Sequence, residues 1–330
     1  MRRAASALLL AVFVGSPGAA IAQLYRWTDE TGAVHLADDL NQVPEAYRRR
    51  AEQIRTGGER ARTEGPPGAE ARRALAPHER WRGRTLADWQ ADLRDSAPRT
   101  RAMALAAVAF FGAAGVPGMV EALRDPDALV RVSAARALGQ VGPDAAGAVL
   151  ALSAALRDGD PRVRFDAAVA LGRVGLAAAA AAPALARALG DAAGEVRVGA
   201  AMGLGGIGPG GREAVPALVQ ALRDGNAVLR MSAASALGGI GQDARAAVPA
   251  LRAALGDNNT SVRTSAASAL GNIGSAAREA IPELRRLAES DRASDFDTPV
   301  RDGALRQKEG VLRQELRVAA REALRQIEGR

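Results

Sequence analysis

Apolar and polar positions along most of this chain follow a pattern that repeats every 33 residues. In each repeat a Val-Arg or Leu-Arg pair is followed, at fixed spacing, by two alanines, a leucine and a closing glycine. An aspartate precedes each pair in the same register. The pairs begin at Val130, Val163, Val196, Leu229 and Val262. A constant period of this length predicts an array of repeated structural units, in which each unit buries its apolar face against its neighbours.

Each unit divides into two predicted helices. In the first helix one leucine recurs in register and another follows four residues later in most units, so one face is apolar. These leucines are Leu152, Leu185, Leu218, Leu251 and Leu284, followed by Leu156, Leu189, Leu222 and Leu255. Prolines stand in the first turn, where no intrahelical hydrogen bond is lost. The second helix runs from the Val-Arg pair to the glycine, which we expect to end it in the left-handed conformation.

The two ends of the array differ from its middle. Leu86, Trp89 and Leu93 match the first helix of the next unit at a step of 30 residues, which predicts a variant first unit. After Glu289 the period breaks, and residues 290–311 are predicted to form an inserted loop. Leu316 then resumes the second-helix pattern. The sequence therefore predicts an all-α fold, an α-solenoid of about seven helix pairs over residues 84–330.

Helix–turn–helix units with the motif (V/L)RxxAAxxLGx(V/I)G resemble HEAT-like repeats of the type named after the phycobilisome lyases. The resemblance spans about residues 84 to 328. It implies a solenoid in which the second helix of each unit lines the concave side.

Residues 1–22 have the three regions of a signal peptide. Arg2 and Arg3 precede a short apolar run, and Ala20-Ile21-Ala22 forms a cleavage site. The run is far shorter than the roughly 20 apolar residues that span a bilayer. The chain has no cysteine, which excludes a lipoprotein anchor, disulfides and thiolate metal sites. We therefore expect export to the periplasm and a soluble mature chain that begins at Gln23, without membrane insertion.

Residues 23–50 are predicted to form a small β-hairpin domain. Apolar and polar residues alternate on both sides of a turn at Glu30-Thr31-Gly32. The pattern Tyr-x-Trp-x-Asp-x-x-Gly-x-x-His resembles a small domain of unknown function found after the signal peptide of exported bacterial proteins. Leu36 departs from that pattern, because an aromatic residue often follows the histidine. His35 is predicted to lie on the sheet face, since no second metal-ligating residue is nearby.

Residues 51–83 are rich in Arg, Glu, Gly and Pro and predict a flexible linker, with a short helix before it from Tyr47 to Ile54. Residues 45–84, which include the linker, hold 11 Arg and 6 Glu and so contribute +5 of the net charge of +7. Residues 85–330 contain 30 basic and 27 acidic residues and are close to neutral. A basic recruitment tail is the alternative for the linker. The charge distribution argues against a nucleic-acid partner, because such proteins concentrate basic charge on a folded face.

Two features of the array could suggest chemistry. Residues 203–208 read G-x-G-x-x-G, the dinucleotide fingerprint, but they end a predicted helix instead of opening one after a strand. The second feature is a pair of columns, formed by the aspartate before each Val-Arg or Leu-Arg pair and by the arginine of that pair. These residues could suggest catalytic pairs, but their identical repetition favours a structural role in closing loops and pairing units. No catalytic residue, metal site or cofactor site is predicted. An activity like that of bilin lyases is the enzymatic alternative that the resemblance leaves open.

The second helices point three columns of residues away from the predicted core. The columns begin at Val132, Arg136 and Gln140. The candidate partner-binding residues in them are Val132, Arg136, Phe165, Val169, Arg173, Val198, Met202, Met231, Ser235 and Asn272. The alternative is that the column of Val132 is partly buried against a neighbouring helix. The predicted function is a non-catalytic periplasmic scaffold that binds a protein partner on the concave face; replacing Phe165 and Met202 by aspartate would then abolish capture without unfolding.

Overall fold

The computed structural model describes the strands at 24–28, 34–37 and 52–54 and the residues 80–289 and 303–329. The chain divides into two compact units, Met1–Arg72 and Arg73–Arg330. The predicted signal peptide, most of the predicted linker and residues 290–302 lie outside the described residues. The predicted cleavage before Gln23 therefore stays a prediction.

The first unit contains a three-stranded antiparallel sheet in the order β2-β1-β3. Strands β1 (Leu24–Thr28) and β2 (Val34–Ala37) pair from Tyr25 opposite Ala37 to Thr28 opposite Val34, which confirms the predicted hairpin. Strand β3 (Glu52–Ile54) pairs with the other edge of β1. The predicted helix from Tyr47 to Ile54 is therefore wrong at its end. An isolated hairpin is marginal in water, so a third strand on its open edge stabilises it.

Over residues 80–289 and 303–329 the second unit is an array of seven helix pairs, which confirms the predicted all-α solenoid. We call the first helix of each pair the A helix, the second the B helix, and the pairs units 1 to 7. The A helices are α1 (Leu86–Asp92), α3 (Val116–Ala122), α5 (Val149–Ala155), α7 (Ala182–Ala188), α9 (Val215–Ala221), α11 (Val248–Ala254) and α13 (Ile281–Glu289). The B helices are α2 (Pro98–Ala109), α4 (Ala128–Val141), α6 (Pro161–Val174), α8 (Gly194–Ile207), α10 (Ala227–Ile240), α12 (Thr260–Ile273) and α14 (Gly303–Glu328).

A glycine ends each B helix of units 2 to 6, as predicted, but in a different conformation. These glycines (Gly142, Gly175, Gly208, Gly241 and Gly274) have φ between 68° and 75°. Their ψ values, from −133° to −145°, lie outside the left-handed helical well. This region is open essentially to glycine alone. The chain continues from each glycine into a 3₁₀ segment that leads to the next A helix.

The last B helix begins earlier than predicted. Helix α14 starts at Gly303, so residues 303–310 are helical, although the sequence placed them in the inserted loop. Arg306, Gln307, Lys308 and Glu309 are good helix formers, and their polarity had favoured a loop assignment. The helix ends before Gly329, whose φ of 71° resembles that of the other capping glycines.

The core is continuous from unit to unit. The leucines at the centre of the A helices, Leu152, Leu185, Leu218, Leu251 and Leu284, are fully buried. Consecutive B helices pack closely, whereas consecutive A helices hardly touch. A Cβ atom on Gly172 of α6 would come within 2.8 Å of the Cα of Gly203 in α8. Because the spacing between units is smaller on the B side, the array curves toward its B helices, as the resemblance implied.

One stretch of the array is apolar enough to cross a membrane by length and composition. It covers the 28 residues Pro161–Ala188, within which an 18-residue window has a mean hydropathy of 1.6. In the structure this stretch comprises α6, a 3₁₀ segment and α7. Leu171 and Leu185 within it are buried against neighbouring helices. Its hydropathy therefore reflects the core of the array.

Candidate functional site

The aspartate and arginine columns form a ladder between units. Within a rung, the B-helix arginine of one unit binds the aspartate in the A–B turn of the next unit. Arg164, for example, donates from Nε and Nη2 to the two carboxylate oxygens of Asp191, at 2.8 Å each. The other rungs are Arg101–Asp125, Arg131–Asp158, Arg197–Asp224 and Arg230–Asp257. The predicted pairing with the neighbouring unit is confirmed.

Each rung also holds its own turn together. The Asp191 carboxylate accepts the backbone N–H of Ala193 at 2.9 Å, and Nη1 of Arg164 donates to the carbonyl of Asp158 at 2.8 Å. The hydrogen bonds from Arg164 lower the pKa of Asp191, although burial acts in the opposite direction. Charged donors and acceptors of this kind make strong bonds. The columns are therefore structural, since their polar atoms are consumed in holding units together.

The rung between units 4 and 5 is weaker than the others. Nε of Arg197 lies 3.4 Å from Oδ2 of Asp224, and this Nε is buried without a hydrogen bond. The same unit lacks another support: Ala193, at the N-cap of α8, has no side chain that can accept a hydrogen bond. The B helices of units 2, 3, 5 and 6 are capped by Asp127, Asp160, Asn226 and Asn259. Sequence analysis missed this weakness, although Ala193 stands out when the cap positions are aligned.

The column of Val132 is not an open surface. Val132 is only 7% exposed, and Phe165, Val198 and Met231 are half-buried against the core. Phe165 lies across the boundary to unit 4, because a Cβ atom on Gly199 would come within 2.8 Å of its Cδ2. These four residues were predicted as exposed partner contacts, and the structure packs them against the core instead. The sequence pattern of one B helix does not reveal how close the next B helix lies.

The column of Arg136 is the exposed one. Met202 at its centre is 48% exposed, and Val169 is half-buried beside it. Arg136 is exposed but donates from Nη2 to Asp166 of unit 3 at 3.0 Å. Ser235 is exposed, with its Oγ 3.3 Å from that of Ser265.

The column of Gln140 is exposed, and glycines occupy two of its middle positions. Its members are Gln140, Arg173, Gly206, Gly239 and Asn272. A Cβ atom on Gly206 would come within 2.4 Å of the carbonyl oxygen of Gly172, and one on Gly239 within 2.7 Å of that of Gly205. Close helix packing therefore requires glycine here and leaves bare backbone at the surface. Arg173 and Asn272 flank this stretch, as predicted.

The exposed residues of these columns share one surface, which we call the B face. Arg136, Val169, Arg173, Met202, Ser235 and Asn272 belong to it among the predicted site residues. The structure adds four exposed residues from the first turns of the B helices, Leu129, Arg162, Glu195 and Val228. They lie three positions before the column of Val132, so the same helical period could have identified them.

The glycines of residues 203–208 serve packing. A Cβ atom on Gly203 would meet the carbonyl oxygen of Ala168 at 2.5 Å, and one on Gly205 would meet the Cα of Ala236 at 3.1 Å. The motif lies at the C-terminal end of α8 and brings three B helices together. Over the part of the chain with described side chains, no group of three or more His, Cys, Asp or Glu residues could hold a metal ion.

Two family profiles match the chain. The profile of the HEAT repeats matches residues 86–152, 116–195, 182–247 and 215–302. The profile of a domain of unknown function, DUF4124, matches residues 8–74. No curated protein matches the chain.

Several solved structures are similar to the array. An engineered protein is 24% identical, with a TM-score of 0.52 over 74% of this chain and 68% of its own. A designed armadillo repeat protein in complex with the peptide (KR)4 is 20% identical, with a TM-score of 0.48 over 57% of this chain and 99% of its own. The complex of CpcE and CpcF of phycocyanin lyase from Nostoc sp. PCC7120 gives 23% identity and a TM-score of 0.39 over 46% of this chain and 96% of the other.

Proposed function

Because this chain belongs to the HEAT-repeat proteins, we propose that it is a non-catalytic scaffold that binds a protein partner on the B face of its array. The observation that carries the proposal is the centre of that face. Met202 exposes nearly half of its side chain next to the bare backbone at Gly206 and Gly239. Methionine is enriched in protein–protein interfaces relative to the rest of the protein surface.

The shape of the face supports the same function. Arg173 and Asn272 provide polar donors on either side of the apolar centre, and the array is curved toward this surface. A partner could bury Met202 and Val169 while the flanking side chains form hydrogen bonds at the rim, the usual arrangement of an interface. The ladder and the buried leucines hold the B helices in register, so the face is built on rigid elements.

We further propose that the protein works in the periplasm. The proposal rests on the signal-peptide pattern of residues 1–22 and on the resemblance of the hairpin to a domain of exported proteins. N-terminal sequencing of the protein purified from the cell envelope tests it. A mature chain that begins at Gln23 is expected, and a chain that retains Met1 would contradict export.

Partner capture tests the binding face. The Met202→Asp variant places a charge at the centre of the B face, and Leu150→Asp places the same charge on helix α5, where Leu150 is 83% exposed. Proteins captured from an envelope extract by the unaltered chain and by Leu150→Asp, but not by Met202→Asp, would support the proposal. Equal capture by all three would refute it. A purified protein that carries a chromophore would instead favour the lyase-like alternative.

The choice of Met202 alone follows from the structure. Phe165 packs against Gly199, so Phe165→Asp would bury a carboxylate and destabilise the array. Met202 is exposed, so its replacement leaves the core intact. Unchanged helical circular dichroism of Met202→Asp confirms that any loss of capture is a loss of binding.

A further inference from the structure

Charged residues on the B face are distributed unevenly along the array. In units 1 to 3 the exposed positions carry Arg99, Arg136, Arg162 and Arg173. In units 4 to 6 the corresponding positions carry a single charge, that of Glu195. In unit 7 they carry Glu315 and Glu322, and Glu322 forms an ion pair with Arg325. The basic residues of the B face are therefore confined to the start of the array.

The four arginines keep hydrogen-bonding capacity. Over the described residues, Arg99 and Arg173 form no ion pair. Arg136 binds Asp166 with 60% of its side chain exposed, and Arg162 binds Asp160 with 67% exposed. A guanidinium carries five N–H donors, so one such contact leaves others directed at solvent. The start of the face can therefore bind several carboxylates.

The apolar centre of the face adjoins this basic region. Val169 and Arg173 lie one helical turn apart on α6, and Met202 is in the next unit. A segment that lies along the face therefore meets the arginines, with Leu129 among them, over units 1 to 3 and then Met202 in unit 4. In the following units it meets neutral side chains, among them Ser235, Ser268 and Asn272.

On the basis of the function proposed above, we propose that the partner presents an extended acidic segment. Its acidic residues lie over units 1 to 3 and an apolar residue lies against Met202. Because the basic residues of the face are confined to units 1 to 3, the acidic part of the segment lies at that end and the segment binds in one direction. Charge complementarity of this kind determines which partner binds and in which orientation.

An acidic polypeptide fits the face better than a nucleic acid does. A phosphate chain requires an uninterrupted basic surface, because each neutralised phosphate contributes to affinity. Here Asp166 lies beside Arg136, and Glu195 follows in the next unit. The B-face positions of units 4 to 6 carry no basic residue that could bind the far end of a long nucleic acid. The exposed side chain of Met202 has no charge and no hydrogen-bond donor for a phosphate.

Titration of the full chain with labelled peptides tests the inference. The probes are a fluorescein-labelled peptide of Glu, Leu and Ser and a matched peptide in which Lys replaces Glu, with binding followed by fluorescence anisotropy. We expect the acidic peptide to bind, and to bind more weakly as salt rises, because exposed charges are screened. The Arg136→Glu/Arg173→Glu variant should weaken binding by at least about tenfold, since attractive contacts become repulsive.

Two controls separate charge from folding. Arg187→Glu/Arg223→Glu makes the same change in net charge at exposed positions on the A side, and its binding should equal that of the unaltered chain. Arg136→Gln/Arg173→Gln removes the charges without adding repulsion, so it should give a smaller loss than the glutamates. Circular dichroism must show equal helicity for all variants.

Other outcomes would overturn the inference. Equal or tighter binding of the lysine peptide, tighter binding of single-stranded DNA, or no binding of the acidic peptide at low salt would each do so. Partner capture that is lost in Met202→Asp but kept in Arg136→Glu/Arg173→Glu would leave the B face as the binding site and contradict only its charge selection.

Discussion

Removing an aspartate from a tight rung of the ladder should cost more stability than removing one from the weak rung. Asp191→Ala breaks the bidentate pair with Arg164, and Asp224→Ala breaks the longer contact with Arg197. Each substitution also removes one hydrogen bond to a backbone N–H in the turn, at 2.9 Å to Ala193 and 2.8 Å to Asn226. Because that loss is common to both variants, the difference between them isolates the ion pair.

The expected magnitudes follow from geometry and exposure. Breaking a buried pair costs about 3 to 5 kcal/mol and an exposed pair about 0.2 to 1 kcal/mol. The side chains of Arg164 and Asp191 are 17% and 14% exposed and those of Arg197 and Asp224 are 24% each. With about 1 kcal/mol for the turn hydrogen bond in both, we expect a loss of about 3 kcal/mol for Asp191→Ala. For Asp224→Ala the expected loss is about 1 to 1.5 kcal/mol.

Urea unfolding followed by circular dichroism measures the difference. A gap of about 1.5 kcal/mol corresponds to roughly 3 to 6 °C in the melting temperature of a domain of this size. Repeat arrays can lose cooperativity, so equal denaturant slopes must be verified first. Equal destabilisation by the two variants, or a larger loss in Asp224→Ala, would refute the reasoning.

A double-mutant cycle gives an independent test of the same pair. Replacing both Arg164 and Asp191 by alanine should cost less than the sum of the single losses, because the second substitution removes a partner that is already unsatisfied. The corresponding cycle for Arg197 and Asp224 should show a smaller coupling. Equal couplings would mean that the difference in distance between the rungs has no energetic consequence.

Three further predictions concern the helix caps, the contacts between helices and the dependence of stability on pH. Ala193→Asn should raise the free energy of unfolding by about 1 kcal/mol in urea titrations, because it supplies the cap that α8 lacks; no gain would contradict the capping argument. Gly206→Ala should lower the melting temperature strongly, since its Cβ would meet a backbone oxygen at 2.4 Å, whereas exposed Gly225→Ala, with no atom within 4 Å, should change little; similar melting of the two would refute it. The folded-state pKa is lowered for the ladder aspartates Asp125, Asp158, Asp191 and Asp257. The stability they contribute is therefore present above the ordinary aspartate pKa of about 3.9 and is lost as pH falls through the lower folded value. Melting temperatures between neutral and acid pH should show this loss and a smaller one in Asp191→Ala; an acid loss of the same size in that variant would count against it.

The sequence alone identified the helix pairs, because every unit packs the same apolar positions against its neighbours. The leucines at Leu152 and its equivalents recur where the A helix meets the core, and the structure buries all of them fully. The glycine after each B helix recurs where the backbone needs a positive φ. Such local requirements appear directly in the pattern of one unit, and repetition across units removes ambiguity about the period.

Some features depend on the distances between units, and the sequence of a single helix does not reveal these distances. The column of Val132 reads as surface on an isolated helix, but the B helices approach so closely that Phe165 lies against Gly199. The weak rung likewise depends on the distance between Arg197 and Asp224, since both residue types are present there as in the other four rungs. Strand β3 pairs with β1 across a long stretch of chain, and short apolar segments do not reveal such pairing. The sequence therefore determined the elements and their repetition, whereas tertiary structure decided which side chains on the B helices stay exposed, because exposure depends on the approach of neighbouring units.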